Sequence, residues 1–310
     1  MSRTPEAEAI VTADLVRALL ADQHPDLAGL PLVPAAEGWD NVVFRLGDEL
    51  AVRMPRRELA AGLVRSELRF VGEIAARTGT ALPVPVRRGL PARGYPWEWS
   101  ICRWTEGAPG LSVPPAARGG AAELAGFLGA LHTPAPPDAP ENPFRGLHVG
   151  ELDARLRERL ALVAHRPDHA ELSALWRVLS RAAPHAGAAV WVHGDLHPGN
   201  ILFAPDGSLA GVIDFGDLCA GDPAVDLAVA WQLYEEGRRR EFVAAVEAAL
   251  PRDRETWRRA AAWALHFGLL SVAIEGNDPA FAANGEFTLR ELRAQFSHRL
   301  TGGGGASRSA

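Results

Sequence analysis

The sequence predicts a mixed α/β (α+β) fold in two unequal parts, and three observations carry that expectation. Between residues 30 and 54, three short runs of strand-forming residues are separated by turn residues, and a long amphipathic stretch follows at 58 to 77. From Gly119 onward the spacing becomes helical, with Leu124, Leu128 and Leu131 on one face. Inside that helical half lies one further pair of strand-like runs, 200 to 204 and 209 to 213, joined by the turn residues Pro205, Asp206, Gly207 and Ser208.

Taken in order, a first helix is expected over residues 4 to 21, with Thr4 as cap, Pro5 in the first helical position, and Ile10, Val11, Leu15 and Leu19 sharing a face. Strands follow at 30 to 36, 41 to 46 and 50 to 54. Their connections are residues 37 to 41 and the tight Gly47-Asp48-Glu49 turn. The helix at 58 to 77, stopped by Gly79, carries an anomaly: Glu67 has Leu63, Val64, Phe70 and Val71 as its neighbours on the helix surface. A carboxylate in an apolar stripe needs a partner, and Arg53 on the preceding strand is available. Strands at 83 to 86 and 95 to 104 complete the first part. A helix at 121 to 132 leads to a proline-rich loop at 133 to 143, helices at 150 to 164 and 168 to 183, and a strand at 188 to 192. His165, His169 and His185 stand singly in these polar segments and are read as solvated. After the hairpin, a short gap at 217 to 221 precedes the capped start Asp222-Pro223 of a helix at 223 to 234. That helix is apolar nearly all round and therefore buried, with Asp226 as its internal charge. Helices at 239 to 250, 253 to 274 and 286 to 299 and a flexible tail at 301 to 310 close the chain.

The chemistry gathers in residues 193 to 217, HGDLHPGNILFAPDGSLAGVIDFGD. A hairpin brings its open ends together, so Asn200 at the start of the first strand meets Asp214 at the end of the second, with Asp195 beside them. Two oxygen ligands for a hard cation and a carboxylate that can orient a hydroxyl are what phosphoryl transfer asks of a protein. His193, Asp195 and Asn200, followed by Asp214-Phe215-Gly216, match the pattern H-x-D-x-x-x-x-N then D-F-G in spacing and order.

This stretch resembles the catalytic loop and metal motif of the aminoglycoside and macrolide phosphotransferases, which are similar in fold to protein kinases. The resemblance implies a bilobed protein-kinase-like fold. An N-lobe of antiparallel sheet plus helix would occupy residues 1 to 102, a hinge 103 to 107, and a mainly helical C-lobe 108 to 300, before the tail at 301 to 310. It also implies roles. Asp195 orients the acceptor hydroxyl and takes its proton late, while Asn200 and Asp214 hold Mg2+. The run AVRMPRR at 51 to 57 resembles the matching strand of macrolide phosphotransferases, so Arg53 would contact nucleotide phosphate and Glu67 would fix Arg53. Backbone groups near Arg103, Trp104 and Thr105 would meet the purine of ATP or GTP. Residues 37 to 41 sit where a phosphate-covering loop belongs, but with a single glycine they equally describe an ordinary hairpin turn. The run GDPAVDLA at 221 to 228 fits the family pattern in which Asp226 accepts backbone hydrogen bonds from the catalytic loop, with His193 supporting that loop. Gly194 stands where protein kinases carry Arg, and 217 to 221 is too short for an activation segment. No protein substrate is therefore expected. A small hydroxylated acceptor is, with aminoglycoside- or macrolide-type antibiotics first and choline- or homoserine-type alcohols as the alternative.

Composition bounds these expectations. The 310-residue chain is 47% hydrophobic with a net charge of −6, and all its basic side chains other than histidine are Arg. Without Lys there is no Walker A loop, so a nucleotide would be held another way. Basic clusters and RNA-binding motifs are missing from the sequence, which argues against nucleic acid as partner, while cationic small molecules stay compatible. No apolar run long enough for a membrane span and no signal core appear, and a cytoplasmic location is expected. Cys102 and Cys219 lack metal-ligand spacing and are read as reduced residues without a role. Glu235, Glu236, Glu275, Asp278 and Glu286 suit either a polycation or ordinary solvated helix faces. Two other readings compete: a metal-dependent hydrolase built on His193, Asp195, His197 and Asp214, and a non-catalytic nucleotide-binding module.

Overall fold

The computed structural model describes residues 6–274 and 278–301. Helix α1 (Ala13–Gln23) starts later than the sequence suggests. Thr12 caps it by accepting the Leu15 N–H at 3.2 Å. Ile10 is 82% exposed and the buried stripe begins only at Val16, so the cap nearest the stripe is the one that acts. Thr4 and Pro5 lie outside the described residues.

Strands β1 (Leu32–Glu37), β2 (Asn41–Leu46), β3 (Leu50–Pro55), β4 (Pro85–Gly89) and β5 (Trp99–Arg103) form an antiparallel sheet in the order β1-β2-β3-β5-β4. Arg53 sits on β3 opposite Val43 on one side and Ser100 on the other. Helix α2 (Glu58–Thr78) packs on this sheet and ends at Gly79, whose φ of 64° is the left-handed conformation that glycine adopts without strain. The strand expected from residue 95 begins only at Trp99, because Tyr95 closes a turn on Ala92 through Arg93 and Gly94, both at positive φ.

Beyond the sheet the chain is mainly helical: α3 (Ala121–Leu131), α4 (Asp153–Leu162) and α5 (His169–Leu179) precede the hairpin. The helices α6 (Ala224–Leu227), α7 (Val229–Leu233), α8 (Glu236–Ala249), α9 (Arg254–Ala273) and α10 (Pro279–Thr301) follow it. The single helix expected at 223 to 234 is thus two short ones meeting at Ala228. Helix α10 starts well before residue 286, at Pro279, where Asp278 accepts the Ala280 N–H at 2.7 Å. That is the same Asp-Pro start signal that opens the helix after Asp222. The tail from residue 302 lies outside the described residues, as does Glu275.

Among the described residues, five short strands stitch this half together. β7 (Val190–Val192) pairs with β10 (Cys219–Gly221), while β8 (Ile201–Phe203) pairs with β6 (Ala108–Pro109) and β9 (Leu209–Val212). The sequence treats 219 to 221 as a mere gap; its pairing with β7 clamps the segment after Asp214 to the strand before His193. Among the described residues there are two core clusters. One lies between α1 and the sheet around Phe44, Trp99 and Ile101, and the other runs through the helical half and includes Phe70, Val71 and Ile74 of α2. Both cysteines are buried and free, and burial pushes their thiols up, to about 11 for Cys102 and about 12 for Cys219.

Asp222 ties the helical half together. It accepts the Ala224 N–H at 3.0 Å and receives Arg259 of α9 at 2.6 Å, with both side chains buried. Arg259→Met strands that carboxylate, so a stability loss of about 3–5 kcal/mol is expected in urea unfolding. A loss under about 1 kcal/mol would mean that the pair behaves as a solvated one.

Candidate active site

The β8–β9 hairpin pairs Ile201 with Val212, and the Ile213 N–H donates to the Asn200 carbonyl at 2.9 Å. Asn200 and Asp214 therefore stand side by side at its open end. The Asn200 amide nitrogen donates to the Asp195 carbonyl at 3.0 Å, which fixes the amide's orientation and ties the hairpin to the loop before it. Asp195 and Asp214 line one cleft, together with Asp40, Asp217, Leu63 and Gly216.

The loop carrying Asp195 hangs from α6. The Asp226 carboxylate, fully buried, accepts the N–H groups of His193 and Gly194 at 2.8 and 2.9 Å and meets His132 at 3.0 Å. These bonds compensate a charge that burial alone would make costly. Gly194 has φ +83°, and a Cβ there would lie 2.5 Å from the Asp217 carbonyl, so no larger residue fits. His193 is fully buried against Phe215; its Nε2 donates to the Ile213 carbonyl at 3.0 Å and its Nδ1 lies 3.3 Å from the Asp195 N–H. Both ring nitrogens are thus engaged. Among the described residues, no three His, Cys, Asp or Glu side chains are arranged to hold a metal ion. The His193, Asp195, His197 and Asp214 set expected for a hydrolase does not assemble.

Arg53 bridges the sheet and the hairpin. Its Nη2 lies 3.0 Å from Glu67 Oε1 and 3.0 Å from Asp214 Oδ1. The carboxylate in the apolar stripe of α2 has the partner its position demands. Burial pushes the Glu67 carboxyl up to about 7, against the pull of the Arg53 guanidinium. Burial alone would lower the Arg53 pKa, but the charges of Glu67 and Asp214 outweigh it and raise it. Asp214 is held at φ 65°, a left-handed conformation that is uncommon for any residue but glycine. Its side chain is 52% exposed, so one end is gripped by Arg53 while the other faces the cleft.

Asp195 has partners that the sequence does not announce. Arg145 Nη2 donates to its Oδ1 at 2.8 Å, and His197 Nε2 lies 3.4 Å from Oδ2. Burial would raise this carboxyl, but His197, Arg145 and His193 hold it well below the usual carboxylate range. Asp217, which accepts from Asn142 at 2.6 Å, moves the other way: burial raises it more than Arg145 lowers it. Arg145 and Asn142 lie in the loop after the prolines, and no spacing in the sequence links them to residues 195 to 217. His197 accepts the Gly199 N–H at 2.9 Å and packs its ring against Phe281.

At the expected hinge, two of the three named positions are already committed. The Arg103 N–H donates to the Val84 carbonyl at 2.9 Å and the Trp104 N–H to the Glu49 carbonyl at 2.7 Å, because the sheet's pairing runs past β5. Neither N–H is left for a purine, whereas Thr105 lies beyond that pairing. At the other edge of the cleft, the turn between β1 and β2 closes with the Gly38 N–H on the Asn41 carbonyl at 2.9 Å. It is pinned by Arg56 on Glu37 and by Arg57 on Asp40. The turn is an ordinary hairpin and, through Asp40 and Asn41, a wall of the cleft.

The model of the phosphotransferase enzyme family matches residues 31–263. The chain belongs to that family. It is 31% identical over 214 residues to a homoserine kinase of Methylocella silvestris, covering 63% of this chain and 61% of that one. It is 28% identical over 116 residues to an aminoglycoside 3'-phosphotransferase of Escherichia coli, covering 36% and 42%. The chain thus spans less than two thirds of the length of these curated relatives. Among solved structures, the GDP complex of wild-type aminoglycoside 2'-phosphotransferase-IIIa aligns with a TM-score of 0.64 at 17% identity, over 92% of this chain and all of that one. A macrolide 2'-phosphotransferase from Brachybacterium faecium aligns at 0.57 and 20% identity, over 95% and 99%. At such identities the likeness is one of fold, and the fold is the kinase-like one of these phosphotransferases.

Glu67 yields a pH prediction. Folded, it holds its proton up to about pH 7, whereas the ordinary value is 4.5, so between these values the folded chain binds more protons than the unfolded one. Stability then falls as pH rises through that window. In urea unfolding across it, wild type should lose stability relative to Glu67→Gln and the difference should level off above pH 7. A difference independent of pH contradicts the raised value.

Proposed function

We propose that this chain is a small-molecule kinase, transferring the γ-phosphate of ATP or GTP to an alcohol. The observation that carries the reading is that Asp195 and Asp214 open into a single cleft, with Arg53 gripping the second of them. The lobes divide at residues 103 to 107, and the nucleotide lies in the cleft between them, its purine against the backbone at Thr105. Arg53 faces the phosphates, positioned by Glu67.

The donor set suits Mg2+: the exposed end of Asp214 and the amide oxygen of Asn200 are hard oxygen ligands that would hold it. When bound it neutralises triphosphate charge. Asp195, anionic throughout the working pH range, accepts the hydrogen bond of the acceptor hydroxyl, aims its oxygen, and takes the proton late, as the bond to phosphorus forms. Asp226 keeps the loop in place by holding two of its N–H groups. The site of action is the cytoplasm, where nucleoside triphosphates are plentiful.

The sequence puts antibiotic-type acceptors first and choline- or homoserine-type alcohols second. Both curated relatives named above are compatible with the machinery, and the Arg145 contact to Asp195 favours the homoserine type over the cationic choline type. A screen of aminoglycosides, macrolides and small metabolic alcohols with ATP and GTP, read by nucleoside diphosphate release, tests the activity. Nucleotide binding without transfer to any acceptor would favour the non-catalytic module instead.

Replacement of Asp195 by Ala should cut turnover by roughly 10²- to 10⁴-fold while the thermal shift produced by nucleotide survives. An unchanged rate removes Asp195 from the mechanism.

A further inference from the structure

Arg145, which grips Asp195, belongs to a group of three arginines, with Arg155 and Arg159, that all act on the buried His266. Arg145 is brought to Asp195 by a docked loop. The Ala220 N–H donates to the Pro140 carbonyl at 3.0 Å, and Gly146 meets Gly221 of β10 so closely that a Cβ on Gly221 would lie 2.6 Å from the Gly146 Cα. Its guanidinium gives Nη2 to Asp195 and lies over the Phe267 ring at 5.4 Å. Its buried Nε, 3.5 Å from Asp217, makes no hydrogen bond.

A second cation lies on His266, whose ring packs against Phe267. Arg159 Nη1 lies 2.7 Å from both ring nitrogens of the buried His266. Burial, with Arg159, Arg145 and Arg155 around it, pushes His266 down to about 2, so the imidazole is neutral and offers no countercharge. Burial and the charges of Arg155 and Arg145 lower Arg159 to about 10, and only its exposed chain neighbour Glu158 acts in the opposite direction. Among the described residues neither Arg155 nor Arg159 forms an ion pair; Arg155 lies over the Phe144 ring at 5.1 Å and donates to the Pro143 carbonyl. Apart from the exposed Glu158, three guanidiniums therefore meet two carboxylates, Asp195 and Asp217. One of those two, Asp195, has to face an alcohol in the reaction proposed above.

Resting on that phosphoryl-transfer reading, we propose that the acceptor carries a carboxylate beside the hydroxyl to be phosphorylated, and that Arg145 and Arg159 bind it. Arg145 already grips a carboxylate, that of Asp195, in the manner a substrate carboxylate would be gripped. On binding, the acceptor's acid group replaces Asp195 on the guanidinium, and the freed Asp195 turns to the hydroxyl. Arg145 is then both an acceptor-binding residue and a guard that keeps Asp195 engaged until an acid arrives. An amine-rich acceptor would instead face three like charges and leave Arg145 on Asp195.

The test measures transfer from ATP and GTP to L-serine, L-homoserine and 4-hydroxybutyrate, each beside its carboxamide, and to 4-amino-1-butanol and kanamycin. The acids should exceed their carboxamides by about tenfold or more in kcat/KM, the worth of a charge-assisted hydrogen bond. Arg159→Ala should raise KM for the acids by a similar factor with a smaller change in kcat, and Arg159→Lys should restore part of it. Transfer to the amine or to kanamycin in preference to the acids overturns the proposal and leaves the phosphoryl-transfer reading standing. Nucleotide binding with no transfer to any acid overturns the proposal as well. Failure of both nucleotides to bind, read by thermal shift in the same samples, sinks the phosphoryl-transfer reading and this inference with it.

Discussion

Four carboxylates, those of Asp40, Asp195, Asp214 and Asp217, crowd one cleft, and that crowding is the constraint the rest of the structure answers to. Like charges so placed repel, and every one of them is held by an arginine: Asp40 by Arg57, Asp214 by Arg53, and Asp195 and Asp217 by Arg145. Those arginines come from the β3 strand, the start of α2 and the loop after α3, so neutralising the cleft also fastens its walls to one another. Glu67 completes the arrangement from inside the core, where it fixes the guanidinium that reaches Asp214.

Around this cleft, buried charge serves to place backbone. Asp226 uses both oxygens on the loop N–H groups, Asp222 uses its own on the start of α6 and on Arg259, and each is sealed from water. Such groups contribute less to net stability than apolar packing of the same volume, yet they dictate one geometry because any other leaves a charge unpaired. The positive φ of Asp214 and the glycine-only space at Gly194 mark where the chain departs from its preferred conformations to bring the acids together.

Much of this was legible in the residues. The hairpin ends that join Asn200 to Asp214, the strand limits of β2, and the pairing of Glu67 with Arg53 follow from periodicity, turn chemistry and the cost of a charge in an apolar stripe. Local rules failed where two signals competed. Among the described residues α1 starts at the cap Thr12, and α10 opens on Asp278-Pro279, the same signal as Asp222-Pro223. At the hinge, pairing continued past β5 and consumed two N–H groups that a strand-end reading leaves open. Arg145 could not have been found at all from spacing. It reaches Asp195 through a loop whose position depends on the contact of two glycines, Gly146 and Gly221, far apart in the chain.

If the acids of the cleft are there to receive a metal-bound triphosphate, nucleotide affinity must depend on the cation. Titration calorimetry of ATP and GTP, with Mg2+ and with chelator, on wild type and Asp214→Asn, tests this most directly. Binding to wild type that strengthens sharply with Mg2+, and loses that dependence in the variant, is the predicted result. Equal affinity in chelator, or a variant as responsive to Mg2+ as wild type, would contradict the account.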